Sequence, residues 1–320
     1  AAGFEYAQTM QGSLDYALNH FVMHQIGREA YMSLHGDIPA ALEMQKEYTK
    51  PEQFDYELDG YRHGLFEAFF TDKGTQDESL AAELCPESIN VHRNVPVGIY
   101  AYPPAPIDSS QNDQDQCFHA VGHGLMYANN NDIKLSLSQC DKMPEDWQQQ
   151  WCYYGAFMQY TYTDWPGYES ELERHTNIAT GTPMATLCND LPQRQQNACS
   201  RLAGRGYIDK DTRNSIDHVT AVFDQCLRVK KVYQESCIVE TAGSFLPEAF
   251  AKDPKQAFDM CTAVFTDVKS RRACTYGAAS GYKQGAGKFE YKNRNSLCDL
   301  VDATLTDACV QANGRGYTWF

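Results

Sequence analysis

The stretch Asp253-Pro-Lys-Gln-Ala-Phe-Asp-Met-Cys261, followed after a short polar turn by Arg272-Ala-Cys274-Thr-Tyr-Gly-Ala-Ala-Ser-Gly-Tyr282, reads as a helical hairpin. Pro254 suits a helix start, where its missing N–H has no intrahelical partner to lose, and Ala257, Met260, Val264 and Phe265 supply an apolar stripe for a first helix, A. The second segment gives helix B. Each cysteine lies roughly six residues from the turn, so an antiparallel pair brings Cys261 and Cys274 to bridging distance. Closing a loop of this size contributes on the order of 3 kcal/mol in the chain-entropy model.

This grammar repeats. Cys140/Cys152, Cys188/Cys199, Cys226/Cys237, Cys261/Cys274 and Cys298/Cys309 are 11 to 13 positions apart, and Cys85/Cys117 is the same pair opened by an insertion. A Gly-x-Gly follows the second cysteine in Cys117-Phe-His-Ala-Val-Gly-His-Gly124, in Cys199-Ser-Arg-Leu-Ala-Gly-Arg-Gly-Tyr207 and in Cys309-Val-Gln-Ala-Asn-Gly-Arg-Gly-Tyr317. Upstream it continues without cysteine. Pro39-Ala-Ala-Leu-Glu-Met44 matches Leu80-Ala-Ala-Glu-Leu-Cys85, Gly60-Tyr-Arg-His63-Gly64 matches Val121-Gly-His123-Gly124, and Asn19-His20-Phe-Val-Met-His24-Gln-Ile-Gly27 forms one more helix B. The expectation is therefore an all-α solenoid of two-helix repeats over residues 1–320. Its histidine-bearing repeats span about 10–130, its disulfide-stapled repeats about 78–320, and loop insertions fall at 86–116 and 161–182.

In this layout the chain resembles secreted, cysteine-rich Sel1-like and tetratricopeptide-like α/α repeat proteins, in which each unit carries its own disulfide. The resemblance is one of architecture and implies extracellular binding. Its cysteine spacing is longer than that family's usual one.

An even set of cysteines without C-x-x-C pairs reads as a framework made in an oxidising compartment, so a secreted, periplasmic or extracellular protein is expected. The start Ala1-Ala2-Gly3-Phe4 lacks the charged and apolar regions of a signal peptide, as a processed chain would. No apolar run approaches the roughly 18 residues of a membrane span. With 42 acidic against 27 basic side chains the net charge is −15, which opposes binding to phosphate backbones and argues against a nucleic-acid partner.

Five of nine histidines fall on the first three copies of helix B, counting from the position of each copy's second cysteine. His20 and His24, Asp59 and His63, and His119 and His123 occupy positions +2 and +6, one turn apart on one face, as an H-x-x-x-H metal pair requires. That face points away from helix A, towards the inner surface of a superhelix. If the curvature is tight, the six residues converge on a divalent transition metal such as Zn, Fe, Cu or Mn, with Glu67, one turn beyond His63, as a weaker candidate ligand or catalytic base. Helices stand roughly 9 to 10 Å apart, and the glycines at 60, 64, 122 and 124 permit the closer approach this needs.

Two other readings stand beside the metal. One is a metal-free groove gripping a protein, a peptide or a glycan; the other is a set of structural histidines, since +6 is Arg205 and Arg315 in later copies. The aromatics from Trp147 to Tyr168 suit either a stacking platform or, more commonly, a core. Asn129-Asn-Asn-Asp132 offers oxygens but lacks the calcium-loop pattern.

Overall fold

The structure is a computed structural model describing residues 16–48, 56–75, 84–85, 109–162, 183–205, 215–284 and 297–314. Among these residues it is all-helical, with thirteen helices, one 3-10 turn and no strand. The helices are α1 (Tyr16–Ser33), α2 (Ile38–Tyr48), α3 (Tyr56–Lys73), α4 (Ser109–Ala128), α5 (Ile133–Cys140), α6 (Asp146–Tyr162), α7 (Met184–Asp190), α8 (Gln193–Arg201), α9 (Ile216–Arg228), α10 (Lys231–Ala249), α11 (Pro254–Val264), α12 (Val268–Gln284) and α13 (Thr306–Gly314). Polar residues start several of them. Asp37, Asp132, Ser215 and Asp253 accept from the backbone N–H groups of Ala40, Leu135, His218 and Gln256 at 3.0 to 3.2 Å, each such cap contributing about 1 kcal/mol.

All six disulfides join sequence neighbours, with Cα atoms 5.3 to 5.8 Å apart. Four staple a helix pair, α5 to α6, α7 to α8, α9 to α10 and α11 to α12. In the last bridge the first cysteine sits in the 3-10 turn Cys298–Leu300 and the second on α13. Around Cys261 the buried stripe is Pro254, Ala257, Phe258 and Cys261, while Met260 and Val264 are half-buried. The bridging cysteine sets which face turns inward, and Phe258 shares that face at i−3 whereas Met260 is about 100° away.

The chain divides into two compact units, one holding α1 to α6 and the other α7 to α13. In the first, α1, α3, α4 and α6 pack in succession, with α2 against α1 and α3, and α5 against α4 and α6. In the second, α8, α10, α12 and α13 form one row, and α7, α9, α11 and the 3-10 turn a second row over it. Each unit is thus packed as a helical repeat would be. No helix of the described residues is long and apolar enough to cross a membrane.

Two loop expectations change. Residues 109–116, read as the end of an insertion, are the first two turns of α4, and Thr161 and Tyr162 close α6. A polar run with few β-branched residues and no glycine or proline continues a helix as readily as a loop. Residues 86–108 and 163–182, the rest of the two insertions, lie outside the described residues. Asn129 to Asp132 form a structural turn. Asn130 and Asn131 adopt φ of 52° and 60°, and Asn129 bonds Ser136, Gln139 and Thr75. Trp151, Tyr153, Tyr154 and Phe157 are core residues of α6, each at most 2% exposed.

Candidate metal centre

Glycines bring the inner helices of the first unit almost into backbone contact. A Cβ on Gly64 of α3 would lie 1.8 Å from the His24 carbonyl oxygen of α1, and one on Gly27 would lie 2.1 Å from that of Tyr61. Between α3 and α4 the tight point is Gly124 against Phe66; between α4 and α6 it is Gly155, where a Cβ would lie 2.0 Å from the His119 carbonyl oxygen, and Gly122 against Cys152. No side chain larger than hydrogen fits at such distances. Residues that a normal helix spacing would hold apart therefore meet.

His24 of α1, His63 of α3, and His119 and His123 of α4 gather in one cluster, none more than 3% exposed. The His63 and His123 rings stack with centroids 3.9 Å apart, and His24 meets His63 edge-on at 5.1 Å. The candidate ligand nitrogens of His63, His119 and His123 all lie within 4.8 Å of one another. The Nε2 atoms of His119 and His123 are 3.0 Å apart. These imidazoles are enclosed between helices, not displayed on an open inner surface as their angular position alone suggested, because the glycine contacts close the space around them.

Each ring is held from behind. His123 donates from Nδ1 to the Gln159 Oε1 of α6 at 2.8 Å, and the His119 ring meets Tyr154 edge-on at 5.3 Å. His24 Nδ1 donates to Glu67 Oε1 at 2.8 Å, and His24 Nε2 lies 3.3 Å from His63 Nδ1. The other Glu67 oxygen accepts from the Arg28 guanidinium, which also sits 5.5 Å over the Tyr127 ring. Burial pushes the Glu67 carboxyl up, but its contacts with His24, then Arg28 and His123, outweigh it and hold the group below the usual carboxylate range. Glu67 is a fully buried anion.

Of the residues expected at the site, His24, His63, His119, His123 and Glu67 are together. His20 and Asp59 sit one turn before His24 and His63 in α1 and α3, and their side chains lie outside the described residues. Sequence reasoning missed Arg28 and Gln159. Arg28 was within reach of the same arithmetic, because it is one turn beyond His24 as Glu67 is one turn beyond His63. Gln159 carried no such signal. No protein-family model, curated protein or solved structure matches the chain.

Proposed function

We propose that this chain is a secreted or periplasmic metalloprotein that holds a divalent transition metal on His63, His119 and His123. The observation that carries this reading is the convergence of three buried imidazoles from two adjacent helices, their ligand atoms within 4.8 Å of one another. Zn–N bonds of about 2.0 to 2.1 Å in a tetrahedron set donors about 3.3 Å apart, so binding would draw the three nitrogens together and turn the stacked His63 and His123 rings out of parallel to aim their lone pairs at one ion. His123 has the outer hydrogen bond that metal-bound histidines usually have, from its far nitrogen to a carbonyl-type oxygen. Neutral imidazole donors suit Zn and Cu better than Mn, which favours carboxylate and water oxygens. The six bridges support the oxidising compartment in this reading.

Elemental analysis and calorimetric titration of the purified chain test the proposal. One equivalent of Zn²⁺ or Cu²⁺ per chain is expected, with retention abolished in His63→Ala and His123→Ala. Arg205→Ala, in the second unit, should bind as the wild type does. A chain that arrives metal-free and takes up neither ion overturns the reading and leaves the cluster a structural one.

A further inference from the structure

We propose that Glu67, acting through His24, is the positioning residue that makes His63 bind through Nε2, and that Arg28 sets the direction of this relay. The assignment deepens the metal reading, but its central claim concerns protons and holds with or without an ion. An ionised carboxylate only accepts hydrogen bonds, so the 2.8 Å contact puts the His24 proton on Nδ1. In the neutral ring this leaves the lone pair on His24 Nε2, which faces His63 Nδ1 at 3.3 Å and can only accept from it. His63 then carries its proton on Nδ1 and its lone pair on Nε2. The chain of donors runs from His63 through His24 to Glu67 and ends there, because Arg28 holds the second carboxylate oxygen.

This ordering sorts the four histidines. His24 meets Glu67 with one nitrogen and the far nitrogen of His63 with the other, so His24 supports the site and is not a ligand, whereas His123 Nε2 meets another member of the ligand set, His119 Nε2, at 3.0 Å. The far nitrogens of His63 and His123 are held by Glu67 through His24 and by Gln159, in the way carboxylates and carbonyls orient metal-bound imidazoles. His24, His63 and Glu67 are 3%, 3% and 0% exposed, so bulk water does not compete for these contacts.

Arg28 makes the relay testable by substitution. In Glu67→Gln the amide has one acceptor and one donor end, and the guanidinium, which only donates, claims the oxygen. The amide NH₂ then faces His24 Nδ1, His24 protonates on Nε2 and donates to His63 Nδ1, and the His63 proton moves to Nε2, where the metal would bind. Removing the guanidinium as well, in Arg28→Met/Glu67→Gln, lets the amide turn its oxygen to His24 and restores the original order.

Long-range ¹H–¹⁵N correlation spectra of histidine-labelled protein read these protons directly, in the metal-free and the Zn²⁺-loaded chain. The wild type should show His24 and His63 protonated on Nδ1 alone, with His63 Nε2 shifting on zinc addition. Glu67→Gln should invert both tautomers and weaken zinc binding about 10- to 100-fold. The double variant should recover the wild-type tautomers and most of the affinity, and circular dichroism confirms that each variant is folded. A His24 protonated on both nitrogens, a wild-type His63 coordinated through Nδ1, or a folded Glu67→Gln that keeps its tautomers and affinity each overturns the relay. A double variant that stays inverted overturns the part given to Arg28. Absence of zinc uptake by wild type with the expected tautomers overturns the metal reading alone.

Discussion

The two units answer one packing problem with opposite chemistry. Where inner helices meet, both bury polar side chains across the interface: His24 against Glu67 between α1 and α3, and Arg201 against Glu240, at 3.0 Å, between α8 and α10. Arg201 and His119 hold the same place, two residues after the second cysteine of their repeats. A guanidinium is always protonated and has no lone pair to give, so the second unit closes its polar slot with an ion pair. Imidazole keeps a lone pair when neutral, and the first unit gathers four such rings beside its own Arg28–Glu67 pair. The repeat supplies the slot, and the residue type at +2 and +6 decides whether it gathers lone pairs or fixed charge.

The contrast breaks most visibly in stability. If the Arg201–Glu240 pair is a closed structural contact, Arg201→Met should cost roughly 3 to 5 kcal/mol, because it takes a buried cation from a buried carboxylate, and Arg201→Met/Glu240→Leu should recover most of it. Denaturant midpoints measure both, and a single variant as stable as the parent would remove the pair from the comparison. Next in size, replacing Cys226 and Cys237 by Ala should cost roughly 2 to 5 kcal/mol. Hydrogen exchange should place the loosening in α9, α10 and their neighbours. Loosening of the first unit to the same degree would deny the two units their separate stabilities.

Zinc sharpens the comparison from the other side. At about 100 times its dissociation constant it should stabilise the chain by about 2.7 kcal/mol, with exchange protection concentrated in α1, α3 and α4 and absent from α8, α10 and α12. Its affinity should fall as pH drops through about 6.5, where free imidazoles protonate. The smallest effect is alkaline. Burial raises the Tyr61 hydroxyl from 10.0 to about 12, and this hydroxyl donates to the Ala41 carbonyl at 2.9 Å. Because the folded state favours the protonated form, the contribution is fully present below pH 10 and lost as pH rises towards 12. Absorbance titration should show Tyr61 ionising late, and Tyr61→Phe should flatten that loss in the first unit.

Much of this could be read from spacing, since spacing governs local geometry. A cysteine on each side of a turn at 11 to 13 positions pairs with its neighbour whatever the rest of the chain does. His119 and His123 share a face for the same local reason, and glycines 64, 122 and 124 announced close backbones. What stayed hidden depends on the offset between helices. That offset puts His63 Nδ1 opposite His24, brings Gln159 of α6 behind His123, and lets Glu67 reach the cluster through another ring. The helical start of α4 at Ser109 was hidden differently, because a polar run carries no periodicity to separate helix from loop.

The nearest-neighbour order of the bridges bears on how the protein is made. Twelve cysteines admit roughly ten thousand complete pairings by the usual counting, yet here each finds its partner in the next cysteine along the chain. A polypeptide threading into an oxidising space can therefore close each bridge as soon as its hairpin has emerged, without waiting for a distant segment. An oxidase is enough for such an order. Isomerase activity, needed where early cysteines must be saved for late ones, has no wrong bridge to correct when oxidation keeps pace with the emerging chain.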